Sequence, residues 1–527
     1  MATPGAARPS DLPAAFGHRD GRLHRRLIRL TVMKEQVLQA VQDVLRDDRV
    51  ALEEAFEECI RELTALVRLD EYHRHGHDPE QLERALGPLA ATNMDIGSLS
   101  RLLGGGTRSR AMPPGRLQRV DALIGTLAEM KDAWSTRHVD PVSIEIENEE
   151  REILALAEEH FNRCAEAFRA LRMAQLELRG KYDSEIHDAA FADFTWRQLG
   201  PAELRSCPPF VVMAPLDGDR GARLRKVMSL LQSGMPIKIA ALRSSFGDAR
   251  SGSIDAGVPS TMTIETLPLA MRGVYFVQTC AAASEFQRQL LEALTAPRPG
   301  VISVLCQRDE EAQAAFQSRA ERAVRARAFP LFAYDPDRDN RFVLCFDLSS
   351  NPSPDTLWTS DTLPARDSEG QAIEVEEPYT FAHFAASEPE FAPELSDLPA
   401  TDDKLVSLTD YLDLTRAQRV GKLPFISLAG DDGSTVRKVV STALASQCSE
   451  RLHLWRTLQE IAGIDNPYVN TSRTSLEKEL GAQQEAQLET LRQEMEQSAA
   501  RREQVATTAA IRKLVAHLTG VEPPGRS

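Results

Sequence analysis

The sequence predicts an α/β protein: a parallel sheet with flanking helices, preceded by a helical amino-terminal region and followed by a mixed α+β region and a long carboxy-terminal helix. Three observations predict it. Short apolar runs alternate with amphipathic patterns after Pro201. Apolar residues recur every three or four positions over long stretches before it. A polar helical pattern with sparse leucines runs on from Thr474. At 527 residues, with 42% hydrophobic and 27% charged residues, the chain suits several units with sizeable cores and is too apolar for wholesale disorder.

Residues 1–27 mix Ala, Pro, Gly and charge without periodicity and read as a disordered tail. Residues 28–198 read as a helical region. Leu52, Phe56, Ile60, Leu63 and Val67 form one stripe. A second helix runs from about Leu117 to Trp134. A third runs from about Glu147 to Tyr182, with Ile153, Leu156, Phe161, Cys164, Phe168, Leu171 and Leu178 inward. Gly104-Gly105-Gly106-Thr107 lacks the Lys-Ser/Thr of a phosphate loop and reads as a flexible linker. The histidines of Tyr72–Asp78 read as a solvated turn before Pro79 rather than a metal site.

Residues 199–328 form the α/β block. Strands are expected at Phe210–Met213, Ile237–Leu242, Val274–Thr279 and Val301–Cys306. Between them lie helices carrying Leu224, Val227, Leu230 and Leu231, and spanning about Ser284 to Leu294. Residues 329–470 are mixed. A strand is expected at Phe342–Phe346, a hairpin joins Phe425–Leu428 to Val436–Val440, and a helix covers about Cys448–Ile461. The acidic, Pro-rich stretch 360–405 reads as a surface excursion. Residues 471–520 form the long helix, a candidate coiled coil, opened by a capping box of Thr474 and Glu477. Gln484 and Arg502 fall on or near its seam, which fits a coiled coil only in part.

Lys and Arg number 62 against 78 Asp and Glu, a formal charge of −16, which disfavours nucleic acid as a partner. No run approaches the ~18 apolar residues of a membrane helix. The basic amino terminus lacks the apolar core of a signal peptide. Seven cysteines without C-x-x-C spacing point to a reducing cytoplasm and against a zinc or four-cysteine cluster site.

Open parallel sheets bind ligands beyond the carboxyl ends of their strands. Two such ends are readable, Ala214–Asp219 and Arg243–Ser253, the first leading into a helix amino terminus suited to an anion.

From about Phe168 to Asn466 the chain resembles the carboxy-terminal part of pyruvate:ferredoxin oxidoreductase and other 2-oxoacid:acceptor oxidoreductases. The stretches that carry this are ALRMAQLELRGKYDSEIHD, FTWRQLGPAELRSCPPFVV, LLQSGMPIKI, APRPGVISVLC, RAFPLFAYDPD, YTFAHFA and SERLHLWRTLQEIAGIDNPY, in the family's order. The resemblance implies the thiamine-diphosphate-binding fold. It also implies that Asp217, Gly218 and Asp219 stand where the family has the Gly-Asp-Gly of its cofactor grip. Counted from Ser233-Gly234, the family's Asn and Thr ligands fall on Ala249 and Arg250. Alanine cannot ligate Mg²⁺, and Arg250 places a positive charge where the ion would sit. Pyrimidine-domain and cluster-binding segments of the family are not recognisable. The expectation is therefore a chain that alone binds no cofactor, its thiamine diphosphate and Mg²⁺ grip degenerate, with no catalytic or metal residues assigned.

Arg220, Arg243 and Arg250 are candidates for an anion where the pyrophosphate would lie; the plainer reading pairs them with Asp217, Asp219 and Asp248. The expected function is a non-catalytic assembly or regulatory subunit of such an oxidoreductase. The alternatives are an active subunit completed by a partner chain, and a helical scaffold. The expected partner is a thiamine- and iron–sulfur-bearing oxidoreductase chain, or self-association, with no nucleic acid and no membrane insertion.

Overall fold

The computed structural model describes residues 50–87, 94–107, 111–136, 142–215, 220–246, 263–308, 311–366, 372–398, 404–430 and 434–520. The chain divides into two compact units, Met1–Trp455 and Arg456–Ser527.

In the first unit, helix α1 covers residues 50–75 and buries Leu52, Phe56, Cys59 and Leu63, spaced four, three and four apart; Ile60 and Val67 lie at the stripe's margin, half-buried. After a turn, α2 (Pro79–Leu86) starts with proline at its first position and stops at Gly87, whose φ of 79° suits glycine. Helix α3 (Ile96–Thr107) runs straight through the glycine run expected to be a linker. The reason lies opposite: a Cβ on Gly104 would stand 2.9 Å from Cδ2 of the buried His77 ring. Gly104 therefore serves close approach, not flexibility.

Helix α4 (Pro114–Thr136) is followed by β1 (Val142–Glu145), a strand inside the region expected to be wholly helical. Helix α5 (Glu150–Leu178) buries Ile153, Ala157, Phe161, Cys164, Phe168 and Leu171. Leu156, expected inward, is exposed, because Ala157 and His160 take the buried stripe; Leu178 is half-buried. Near the end of α5 the buried Glu177 carboxylate accepts from Arg116 Nε at 2.8 Å and Arg119 Nε at 2.7 Å, which fastens α4 to α5.

Short helices α6 (Ser184–Ala192) and α7 (Pro201–Ser206) lead into the main sheet. In sequence it comprises β2 (Phe210–Pro215), α8 (Arg220–Gln232), β3 (Lys238–Arg243), β4 (Tyr275–Cys280), α9 (Phe286–Thr295), β5 (Gly300–Leu305), α10 (Gln313–Arg325), β6 (Phe332–Tyr334) and β7 (Phe346–Asp347). The seven strands lie in the order β1-β2-β3-β5-β4-β6-β7; β1 to β5 pair in parallel, and β6 and β7 add antiparallel at one edge. All four predicted strands of the block are present, within a residue or two of their expected bounds.

Every residue of β2, β3, β4 and β5 is buried, as a parallel sheet covered on both faces requires. Register sorts the side chains. Met213, Ala240, Ile302 and Val277 are neighbours across the strands and meet Leu290, Ala293 and Leu294 of α9. Val212, Ile239, Val301 and Phe276 form the adjacent row on the other face, where α5 sets Phe161 beside Phe210.

The expected strand Phe342–Phe346 is mostly a 3₁₀ turn, Phe342–Cys345, and only Phe346–Asp347 pairs. Three aromatic rings, Tyr334, Phe342 and Phe346, cluster there with centroids 4.7–5.5 Å apart.

The following region is more ordered than its composition suggests. A hairpin joins β8 (Thr359–Arg366) to β9 (Ala372–Tyr379). Helix α11 (Phe381–Ala386) has Phe381, Ala382, Phe384 and Ala385 buried. A four-stranded sheet follows, ordered β10 (Leu395–Asp397), β13 (Thr435–Val440), β12 (Leu423–Ala429), β11 (Leu405–Ser407), with α12 (Leu408–Asp413) after β11. The predicted hairpin is β12–β13, a little longer than expected. The stretch 360–405 is thus a surface excursion only in part: the β8–β9 hairpin is largely exposed, whereas Phe381, Phe384 and Phe391 supply core.

Helix α13 spans Thr442–Ile461. In the second unit, α14 runs from Pro467 to Thr519, 53 residues. It opens earlier than the predicted capping box. Asn466 caps it, its side-chain oxygen accepting from Tyr468 N at 3.0 Å, with Pro467 at the first position. Thr474 lies inside the helix and donates to Asn470 O at 2.9 Å. Gly520, φ 67°, closes it. No described helix is long and apolar enough to cross a membrane.

Phe276 is fully buried and stacks on Phe332 with centroids 4.9 Å apart. Phe276→Ala is expected to lower unfolding free energy by about 3–5 kcal/mol. The exposed Ile186→Ala should stay within ~0.5 kcal/mol of the parent. Urea denaturation of both variants checks this.

Candidate functional site

The carboxyl ends of β3 and β5 are the part of the sheet where an α/β fold presents a ligand, because strand-end loops and helix amino termini converge there. Asp217, Gly218, Asp219 and Arg250 lie outside the described residues, and so do Asp248 and Ala249. Arg220 is the first residue of α8. Arg243 is the last residue of β3.

The Arg243 guanidinium is buried, 4% exposed, and its Nη2 stands 2.8 Å from Oε1 of Glu265, which is 2% exposed. Its Nε and Nη1 have no hydrogen-bond partner among the described residues. The 2.8 Å approach is thus an ion contact from one corner of the guanidinium, not a two-pronged fork. Phe246 and Phe329 flank the cation, each ring centroid 5.9 Å away. Burial pushes the Glu265 carboxyl up, but the charges of Arg243 and Arg451 pull harder and leave its pKa at about 2. Of the three arginines expected to hold an anion, Arg243 therefore has an acidic partner among the described residues, Glu265, while the three aspartates expected to pair with these arginines lie outside them.

Two further arginines close the rim. Arg319 of α10 donates from Nε to Glu311 Oε1 at 2.7 Å, from Nη2 to Glu311 Oε2 at 2.9 Å, and to Cys306 O at 3.0 Å just past β5. Burial pushes Glu311 up, but its bonds to Arg319 and Arg308 outweigh this and hold it below the usual carboxylate value. Arg308 donates from Nε to Ser244 O at 3.2 Å just past β3, and from Nη2 to the buried Glu388. Burial raises the Glu388 pKa despite that arginine. Glu390 Oε1 accepts from Phe246 N at 2.7 Å. The backbone past β3 and β5 is therefore tied to residues 388–390, far along the chain.

Apolar packing seals the same place. Phe246, Cys280 and Leu305 share one core with Phe384, Leu408 and Leu444. The Phe246 and Phe384 rings meet edge to face, 5.0 Å apart. The strand ends of β3, β4 and β5 are thus covered by the region after residue 380.

This arrangement does not fit a Mg²⁺-bridged diphosphate on the described side of the rim. A hard cation needs carboxylates free to turn to it, and Glu265, Glu311 and Glu388 each face an arginine. No group of three His, Cys, Asp or Glu side chains among the described residues is arranged to hold a metal ion. The histidines of the 72–78 turn separate: His77 is buried, whereas His75 is exposed and pairs with Asp78 at 3.2 Å.

Sequence reasoning missed Glu265, Arg308, Arg319 and Glu388. The position of Arg308 just after a predicted strand was a usable signal. Glu388 gave none, because its segment reads as surface. At the opposite end of the sheet, Lys238 at the start of β3 is fully buried and donates from Nζ to Ala296 O at 2.6 Å and Arg298 O at 2.5 Å; burial lowers its pKa to about 7. It links β3 to the turn after α9.

No family model matches the chain, and no curated protein matches it.

Glu265→Gln leaves the Arg243 charge buried without a counter-charge and is expected to cost about 3 kcal/mol of stability at neutral pH. The pH dependence follows from a folded pKa of about 2 against an ordinary 4.5. The pair's stabilisation is fully present above pH 4.5 and fades as pH falls toward 2, so parent and variant should converge there. Urea unfolding of both between pH 2 and pH 7 measures it.

Proposed function

We propose that this chain is a non-catalytic assembly or regulatory subunit, or paralogue, of a 2-oxoacid:acceptor oxidoreductase, with its thiamine-diphosphate-type sheet retained as a structural module. The observation that carries the reading is the pairing and packing of the described residues at the carboxyl ends of β3, β4 and β5. Arginines and glutamates there are matched to one another and packed beneath residues 380–448. An active site needs the reverse, groups aimed at a ligand and a surface able to receive it. The loss of oxygen donors at Ala249 and the charge of Arg250 agree with this. The partner is a chain that carries thiamine diphosphate and iron–sulfur clusters and performs electron transfer itself.

Anaerobic affinity purification from the native source is the test. A thiamine- and cluster-bearing chain is expected at fixed stoichiometry, with thiamine diphosphate equal to the sites on that chain alone. One extra equivalent per copy of this chain, lost on Arg243→Met, would make it an active half-site. Recovery without any such oxidoreductase would remove the reading.

A further inference from the structure

Helix α14 is about 80 Å long at 1.5 Å per residue. None of its residues is buried, and Leu480, Leu488, Leu491 and Met495 are each more than half exposed. In proteins most helical stability comes from packing an apolar face rather than from propensity, and the apolar stripe of α14 has nothing buried on it. The stripe advances by threes and fours from Leu480 through Leu488, Leu491 and Met495 to Ala506; Gln484 and Arg502 interrupt it with large polar side chains and Ser498 with a small one.

The interruptions are symmetric. Gln484 and Arg502 are equally distant from Gln493, close to the middle of the helix, and so are Leu491 and Met495, Leu488 and Ser498, and Leu480 and Ala506. Charge is arranged about the same point. Residues 467–496 hold six acidic and three basic side chains, and residues 497–519 hold four basic and one acidic. Two parallel copies would set like charge on like. Two antiparallel copies set each acidic half along the other's basic half, with Glu485 beside Arg501.

We propose that the chain dimerises through α14, two copies packing antiparallel about a two-fold axis level with Gln493. In that arrangement Leu491 meets Met495 of the second copy, and the Gln484 amide oxygen accepts from the second copy's Arg502. Two of the stripe's three polar residues then satisfy each other and fix the register, while the small Ser498 packs against Leu488 of the second copy. The inference does not rest on the oxidoreductase reading, and either can fail alone.

Sedimentation equilibrium of the full chain at micromolar concentration is expected to show a dimer; a monomer overturns the proposal, including the case where a different chain covers the stripe. Glu485→Arg should weaken the dimer about tenfold. Adding Arg501→Glu in the same chain should restore it, and failure to restore overturns the antiparallel charge match. The seven native cysteines are all buried, so added ones report cleanly. Under mild oxidation, Leu480→Cys mixed with Ala506→Cys should give a disulfide-linked pair. Self-linkage of Leu480→Cys alone would show parallel helices and overturn the proposal.

Discussion

A parallel sheet whose four central strands are buried on both faces governs the first unit. Such strands have no solvent side, so each flanking element must bring an apolar surface and each polar group inside must find a partner. Inside the sheet both demands are met locally, whereas toward the rim Arg243 keeps Nε and Nη1 without a hydrogen-bond partner among the described residues. Helices α5 and α9 cover opposite faces, and inside the sheet Ser303 donates to Gln278 Oε1 at 3.0 Å while Thr279 donates to Gln289 Oε1 at 2.6 Å. The strands can end only where something caps them.

At the carboxyl ends that capping is ionic and apolar together. Among the described residues, Arg243, Arg308 and Arg319 do not form an open positive patch. Each faces a glutamate; Glu311 lies close before Arg319 in sequence, whereas Glu388 comes from beyond the hairpin β8–β9. Buried pairs of this kind add little net stability against an apolar replacement, yet breaking one is costly. The Arg308–Glu388 pair fastens the segment around Glu388 to the rim, and all three pairs commit to internal bonds the side chains a ligand would need.

Much of the architecture was legible in the sequence because it rests on strong local signals. The strands of the α/β block are continuous apolar runs between turn residues, and α5 follows one apolar stripe. What escaped depended on distant partners. Strand β1 is only four residues, and pairing with β2 alone makes it a strand. The turn at Phe342–Cys345 has strand-like composition, but its rings are gathered by Tyr334. Gly104 reads as flexible until the His77 ring is placed against it. The start of α14 was misplaced because Thr474 and Glu477 offered a capping pattern while Asn466-Pro467 offered a better one. The candidate site was legible only as a location: Arg243 was singled out, and its partner Glu265 was not.

Strand β1 also decides how the polypeptide can be divided. It is contributed by residues 142–145, before the long α5, and it covers the edge of β2 with Ile146 N donating to Met213 O at 2.9 Å. A fragment beginning near residue 199 would look complete by composition but would expose the bare edge of β2, a row of unpaired amides and carbonyls ready to recruit another strand. Any expression fragment, gene fission or domain transplant that keeps this sheet soluble must therefore be cut ahead of Val142.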